Sequence, residues 1–446
     1  MSYDERALIE YVTQQRWYGA KSRGVAYAQL LDSAMLRTQE PRLELALVEV
    51  RYETGSHDVY QLLVSSREDE PGLCGLAEDP SLARELVSAM RSGLAVQSAD
   101  GVVEFGHLEG FAGLERELGA ARVVATEQSN TSIAFDEVIL KLFRRLEAGI
   151  NPELELLRFL TERSFPNVAA LGGWYAYAGG PLSTTLGILQ ECVPNARDGW
   201  ELALDELAAD PDGFLPRLRR LGEVTGELHT TLGSEPNDPV FAPEVPSEES
   251  LGLLTATVDE EIANVFLSLP DDDERIEPIA GRGEEVREQL RLLTHAGTSG
   301  KIIRIHGDYH LGQTLWSDGH WTIIDFEGEP ARSLAERRRK RSPLRDVAGM
   351  LRSFAYASIA AGPLRGADVP DDWESRAREQ FLDAYLATVD QSLLPSGPAG
   401  IERMLTVFEL EKAVYELRYE LDNRPDWVGI PVAAIRRLIE PAPAAS

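Results

Sequence analysis

Two cysteines in 446 residues, Cys74 and Cys192, are too few to frame a disulfide-stapled fold, and their spacing matches no metal-ligand pattern. Reduced thiols are the expectation. Basic residues are scarce as well: 44 Lys and Arg stand against 74 Asp and Glu, a net charge of −30. Such a surface repels phosphate backbones and anionic headgroups, which argues against nucleic acid and membrane surfaces as partners. No apolar run reaches the ~20 residues a membrane helix needs. The opening MSYDERALIEYV has no basic stretch followed by an apolar core, so no secretory leader is expected and a cytoplasmic location is. No internal repeat is visible. What is there is ordinary globular composition, 43% hydrophobic and 26% charged. A chain of this length calls for about two to three domains or lobes.

The pattern changes twice along the chain. Residues 1–100 read as a cap: a helical start over residues 4–15, the segment Gln15-Arg16-Trp17-Tyr18-Gly19, then β-prone runs at 43–50 and 58–64. Turn residues at 53–56 separate those runs, and their alternation predicts a meander with one buried face. A helix over 80–92 closes the cap. Residues 101–193 read as a second β-rich region and residues 194–446 as mainly helical. Two acidic, proline-bearing stretches, 234–250 and 269–277, predict exposed connections, and the tail 440–446 a frayed end.

The densest chemistry lies in residues 306–330, HGDYHLGQTLWSDGHWTIIDFEGEP. Asp308 stands two residues after His306, the amide Gln313 five residues later, and Asp325 after the β-prone run Trp321-Thr322-Ile323-Ile324. Phosphoryl transfer needs one carboxylate to orient an acceptor hydroxyl or take its proton. It also needs an amide oxygen and a second carboxylate to hold Mg²⁺ against the phosphates of ATP. The ordered trio resembles the catalytic loop and metal-binding strand of protein-kinase-like phosphotransferases. The plain alternative is a loop whose carboxylates only cap turns.

Other stretches supply the remaining parts. Lys141 sits inside an apolar strand, where it has to snorkel or meet an anion. The helix opened by Asn151-Pro152 carries Glu153 and Glu155, of which Glu155 is the favoured partner for Lys141. Gln128, Ser129 and Asn130 form a polar turn able to cover phosphates, although it lacks glycines. Backbone groups near Glu191 and Val193, where a buried strand ends in proline, suit adenine. Asp198 is placed to meet a ribose hydroxyl or to cap a turn. On the helix over 401–420, Phe408, Lys412, Tyr415, Glu416 and Tyr419 share a face. Rings interleaved with charges suit a sugar, so Lys412, Tyr415, Glu416, Tyr419 and Glu420, with Arg424, Trp427 and His306, are the expected acceptor-binding residues. The basic run Arg337-Arg338-Arg339-Lys340-Arg341 reads as a solvated loop.

Several segments in combination resemble the maltokinase-like branch of the aminoglycoside phosphotransferase family. They are Gln15-Arg16-Trp17-Tyr18-Gly19, Leu140-Lys141-Leu142-Phe143, Val193-Pro194-Asn195, the 306–313 and 325–330 motifs, Ser342-Pro343-Leu344-Arg345-Asp346 and Lys412-Ala413-Val414-Tyr415-Glu416. The resemblance implies an α+β, bilobal protein-kinase-like fold with an additional N-terminal β-rich cap and a mostly helical C-terminal lobe. It implies ATP and Mg²⁺ as cofactors and a free small-molecule sugar as acceptor. It makes Asp308 the catalytic base, Gln313 and Asp325 the metal ligands and Lys141 a phosphate ligand. The branch holds both maltokinases and glucosamine kinases. Acidic residues crowding the acceptor side (Glu327, Glu329, Glu411, Glu416, Glu420, Asp422) suit a cationic aminosugar, and the chain carries no fused trehalose-processing domain, so glucosamine is the expectation and maltose the alternative. An aminoglycoside-modifying enzyme and a sugar-sensing pseudokinase are further alternatives.

Overall fold

The computed structural model describes residues 5–67, 70–76, 78–124, 129–180, 182–270, 273–294 and 300–440. Gln128 and residues 441–446 therefore lie outside the described residues. The chain divides into two compact units: residues 1–164 with 168–194, and residues 165–167 with 195–446.

In the first unit, α1 (Glu5–Gln14) precedes β1 (Val25–Arg37), β2 (Arg42–Tyr52), β3 (His57–Arg67) and β4 (Glu70–Gly75). These four strands form an antiparallel meander. Then come α2 (Ala83–Ser92), β5 (Ala95–Gln97), β6 (Gly101–His107) and the single turn α3 (Ala112–Glu115). Next are β7 (Arg122–Val124), β8 (Thr131–Ala134), β9 (Val138–Leu142) and β10 (Arg145–Leu146). The unit ends with α4 (Pro152–Glu162), β11 (Leu171–Gly179) and β12 (Ser183–Glu191). The second sheet runs β5-β6-β11-β12-β9-β8-β7, while β10 crosses over to pair with β3.

The meander is not one-sided, as its alternation predicted. Residues 43–50 of β2 are buried throughout. The period of two still sorts them. Val48 and Tyr60, partners across β2 and β3, join Leu8, Val12, Trp17 and Tyr18 in the core beneath α1. Leu47 and Gln61, the next pair, take the opposite face. There Gln61 donates to the carbonyls of Phe143 (2.8 Å) and Leu186 (2.7 Å) and accepts from the Tyr175 hydroxyl (2.6 Å). A second layer thus covers what an isolated meander would leave in water.

The second unit is mainly helical. Its helices are α5 (Gly199–Ala209), α6 (Pro211–Leu232), α7 (Glu248–Leu267), α8 (Gly283–Thr294), α9 (Leu334–Arg337), α10 (Leu344–Arg365), α11 (Trp373–Thr388), α12 (Pro398–Asn423) and α13 (Gly429–Ile439). A small sheet of β13 (Arg197–Asp198), β14 (Thr314–Ser317) and β15 (His320–Ile323) interrupts them. The apolar α10 runs through the core against α5 and α12, and α6 packs along α11. Among the described residues no helix is long and apolar enough to cross a membrane.

Candidate active site

The β14–β15 hairpin turns on Asp318 and Gly319, both with positive φ (49° and 86°), the conformation that a tight two-residue turn demands. Folding back in this way brings the end of the 306–313 loop to the residue that follows β15. The Ile324 N–H donates to the Gln313 carbonyl at 3.0 Å, and the Gln313 side-chain amide donates to Asp325 Oδ2 at 3.1 Å. Asp325 itself adopts a left-handed φ of 63°, which few residues with a Cβ accept without strain. A carboxylate and an amide oxygen are hard donors, so the pair fits Mg²⁺ rather than a thiophilic metal.

The loop is held from beneath by Asp346, at the start of α10 and 2% exposed. Its two oxygens accept from the His306 N–H (2.8 Å) and the Gly307 N–H (2.9 Å), and one also meets His229 Nε2 at 3.2 Å. His229 Nδ1 lies 3.1 Å from the Tyr385 hydroxyl. Burial alone would raise the Asp346 carboxyl, but His229 and the backbone donors hold it below its ordinary value. Gly349, one turn along α10, comes so near the loop that a Cβ would stand 2.6 Å from the Tyr309 carbonyl oxygen. Gly307 takes φ 87°, which a side chain would oppose.

His306 is a correction to the expected acceptor set. It is 1% exposed, its Nδ1 accepts from the Asp308 N–H (3.3 Å) and its Nε2 reaches the Ile324 carbonyl (2.9 Å), so Nε2 carries the proton. Its ring packs on Phe326 with centroids 4.8 Å apart. It ties the Asp308 loop to the Asp325 turn and has no face left for a sugar.

Asp308 opens onto a cavity. Lys412 Nζ lies 3.6 Å from Asp308 Oδ1 and sits 5.3 Å from the Tyr415 ring centroid. Burial would lower the Lys412 ammonium, but Asp308, Glu416 and Glu329 more than offset that and raise it, so it stays charged. Phe408 and Glu411 on α12, Glu329, Arg332, Arg345 and Glu261 on α7 complete much of the wall. Arg337, Arg339 and Arg341 line it too, which corrects the reading of that run as a solvated loop. Antiparallel pairing of Arg341 with Ile303, just ahead of the catalytic loop, brings the run there. Burial, then Arg345 and Arg332, push the Arg341 guanidinium down to about 10.

The expected sugar face of α12 divides in two. Phe408, Lys412 and Tyr415 line the cavity. Glu416, Tyr419, Glu420, Arg424 and Trp427 do not. Glu416 accepts from buried Arg352 on α10 (2.7 and 3.0 Å), and Glu420 accepts from the Tyr356 hydroxyl (3.1 Å) and Arg424 (2.7 Å). Trp427 stacks on Tyr356, while Tyr419 is 44% exposed beside Arg424. The cause is α10: a buried guanidinium packed against α12 requires a carboxylate opposite it.

In the first unit Lys141 meets Glu153 at 2.8 Å, with side chains 5% and 1% exposed, whereas the sequence favoured Glu155. Pro152 opens α4 under the Asn151 cap, so Glu153 stands in the first turn facing β9, and Glu155 falls about 200° further round the helix. Ser129 and Asn130 lead into β8. Glu191 ends β12, its N–H donating to the Ala170 carbonyl (2.9 Å), and the Cys192 N–H donates to Glu137 (2.8 Å) just before Val193. Asp198, in the second unit, caps α5, with Oδ1 accepting from the Trp200 (2.9 Å) and Glu201 (3.0 Å) N–H groups. Capping is one of the two roles expected for it.

A loop carboxylate braced by a buried aspartate, an amide–carboxylate pair at a strand end and a strand lysine held by a helix glutamate define a kinase-like phosphotransferase. Residues 120–328 match the phosphotransferase enzyme family, and residues 11–93 match the maltokinase N-terminal cap domain. The chain thus carries a cap domain of the maltokinase type and, after it, a phosphotransferase domain. A glucosamine kinase of Streptacidiphilus jiangxiensis is 28% identical over 355 residues, spanning 74% of this chain and 76% of the relative. One of Mycolicibacterium smegmatis is 27% identical over 343 residues, spanning 72% and 79%. A glucosamine kinase solved in complex with glucosamine, ADP and inorganic phosphate shares the fold, with a TM-score of 0.73 at 20% identity over 97% of this chain and 99% of that one.

Proposed function

We propose that the protein is an ATP-dependent glucosamine kinase that converts glucosamine to glucosamine 6-phosphate. The observation that carries this reading is the Asp308 carboxylate opening onto a cavity walled by ionised side chains. A neutral disaccharide offers such a wall only hydroxyls, whereas an aminosugar offers hydroxyls and a charge. The two relatives named above support the same acceptor.

In this reading the 6-hydroxyl of the sugar donates to Asp308. As its oxygen forms a bond to the γ-phosphorus, its proton passes to the carboxylate and the bond to the ADP oxygen breaks. Lys412 keeps Asp308 in place and faces the charge that builds on the transferring group. In the second unit Asp325 and Gln313 would hold Mg²⁺, which supplies charge neutralisation to phosphate oxygens. In the first unit Lys141, steadied by Glu153, is the candidate phosphate ligand.

The test is turnover of glucosamine, N-acetylglucosamine, glucose and maltose with ATP, with the product position read by NMR. Glucosamine 6-phosphate should form fastest. Acetylation removes a charge-assisted hydrogen bond of ~1.5–3 kcal/mol, so the N-acetyl sugar should fall roughly ten- to a hundredfold behind. The maltokinase-type cap favours one second reading, maltose to maltose 1-phosphate. Efficient maltose 1-phosphate formation without glucosamine turnover would establish that reading instead.

A further inference from the structure

Glu261, on α7, is a carboxylate of the Asp308 cavity with no partner of its own among the described residues. The neighbouring acids are engaged. Glu329 pairs with Arg332, Glu411 with Arg345 (2.8 Å), Glu336 with Ser333, Asp346 with the loop N–H groups and Asp308 with Lys412. Glu261 is half-buried beside them. Burial, then Glu411 and Glu329, push its carboxyl up, and Arg332 and Arg418 offset only part of that. Arg332 and Arg418 thus balance the Glu261 carboxylate only in part, which leaves it able to receive a further cation. Sugar hydroxyls would relieve it weakly. An ammonium brings a full charge and three donors.

We propose that Glu261 is the specificity-determining residue that receives the ammonium group of the aminosugar acceptor, in the cavity where Asp308 meets the acceptor hydroxyl. The proposal rests on the glucosamine kinase reading and deepens it. It displaces Glu416 and Glu420 from that role, because their oxygens already serve Arg352, Tyr356 and Arg424. Lys412 and Arg341 on the same cavity suit hydroxyl and ring oxygens.

The test compares the full-length protein with Glu261→Gln and Glu261→Asp on glucosamine and glucose. It measures kcat and KM at saturating MgATP, the sugar affinities by calorimetry, and the melting temperature of each variant. Glu261→Gln should lower kcat/KM for glucosamine roughly ten- to a hundredfold, mainly through KM, because a charge-assisted contact becomes a neutral one. Glucose turnover and affinity should stay within about threefold, and Glu261→Asp should recover part of the glucosamine loss, which a merely structural role would not produce. Equal losses on both sugars, or unchanged glucosamine kinetics in Glu261→Gln, overturn the proposal while leaving glucosamine kinase activity standing. Absence of glucosamine turnover in the unsubstituted protein overturns both, and that control separates the two failures.

Discussion

Asp308 and Lys412 stand 3.6 Å apart, near enough to share charge but too far for a good hydrogen bond, so Asp308 keeps a lone pair for an incoming hydroxyl. Asp308→Asn preserves the shape of the side chain and removes its ability to take the proton. Its kcat should fall ~10²–10⁴-fold, with ADP affinity unchanged within about threefold, as steady-state rates and calorimetry would show. A kcat close to that of the unsubstituted protein would remove Asp308 from its role. A second test at this scale concerns the buried ion pair of the first unit. Glu153→Gln takes away the charge that Lys141 meets at 2.8 Å, and breaking such a pair costs ~3–5 kcal/mol. Urea unfolding decides it, and a cost below about 0.5 kcal/mol would mean that the pair contributes nothing particular.

At the scale of elements, the 306–330 segment is a loop, a hairpin and a turn that one buried residue braces. Asp346→Asn puts an N–H₂ where a backbone donor expects an acceptor, so the loop should loosen and kcat fall by more than tenfold, of the order seen when a positioning group is lost. The pH dependence has a definite sign. The Asp346 carboxyl is held below its ordinary 3.8, so its contribution to stability is complete above that value and is lost as pH falls through the lower folded value. The stability gap between the parent and Asp346→Asn, from urea titrations, should be constant above about pH 5 and shrink below about pH 4. A gap that widens on acidification would contradict the assignment. The strand before Asp325, and Asp308, Gln313 and Asp325 themselves, were legible in the sequence, because a β-prone run and the three side chains follow one another along one short stretch. Asp346 carried no such local signal as a brace, since its partners His306 and His229 come from distant segments. The stripe on α12 was legible as a face, but periodicity tells which residues share a face and not what that face meets. Arg352 on α10 decided that Glu416 is an internal partner. Glu261 was hidden for the converse reason: in an acidic helix, a carboxylate turned toward a cavity looks the same as one turned toward water.

At the scale of the whole molecule, 74 acidic residues against 44 basic ones leave a net charge of −30, which gives the surface a broad negative potential. Such a field raises the local concentration of a cationic acceptor and leaves a neutral one unaffected. It also opposes the approach of anionic MgATP, so the nucleotide has to be saturating before the effect on the sugar can be seen. Screening acts over a Debye length of about 30 Å at 0.01 M salt and about 10 Å at 0.1 M. The long-range part of the attraction should therefore disappear across that range, while a contact inside the cavity, such as that proposed at Glu261, survives. The expected outcome is a several-fold fall in kcat/KM for glucosamine between low and moderate salt, carried by KM, with glucose unchanged. Glu261→Gln should keep the same salt slope from a lower starting point, because the residue supplies a local contact and the rest of the surface supplies the field. Parallel salt slopes for glucosamine and glucose would show that the net charge does not steer the acceptor and that selection is made wholly within the cavity.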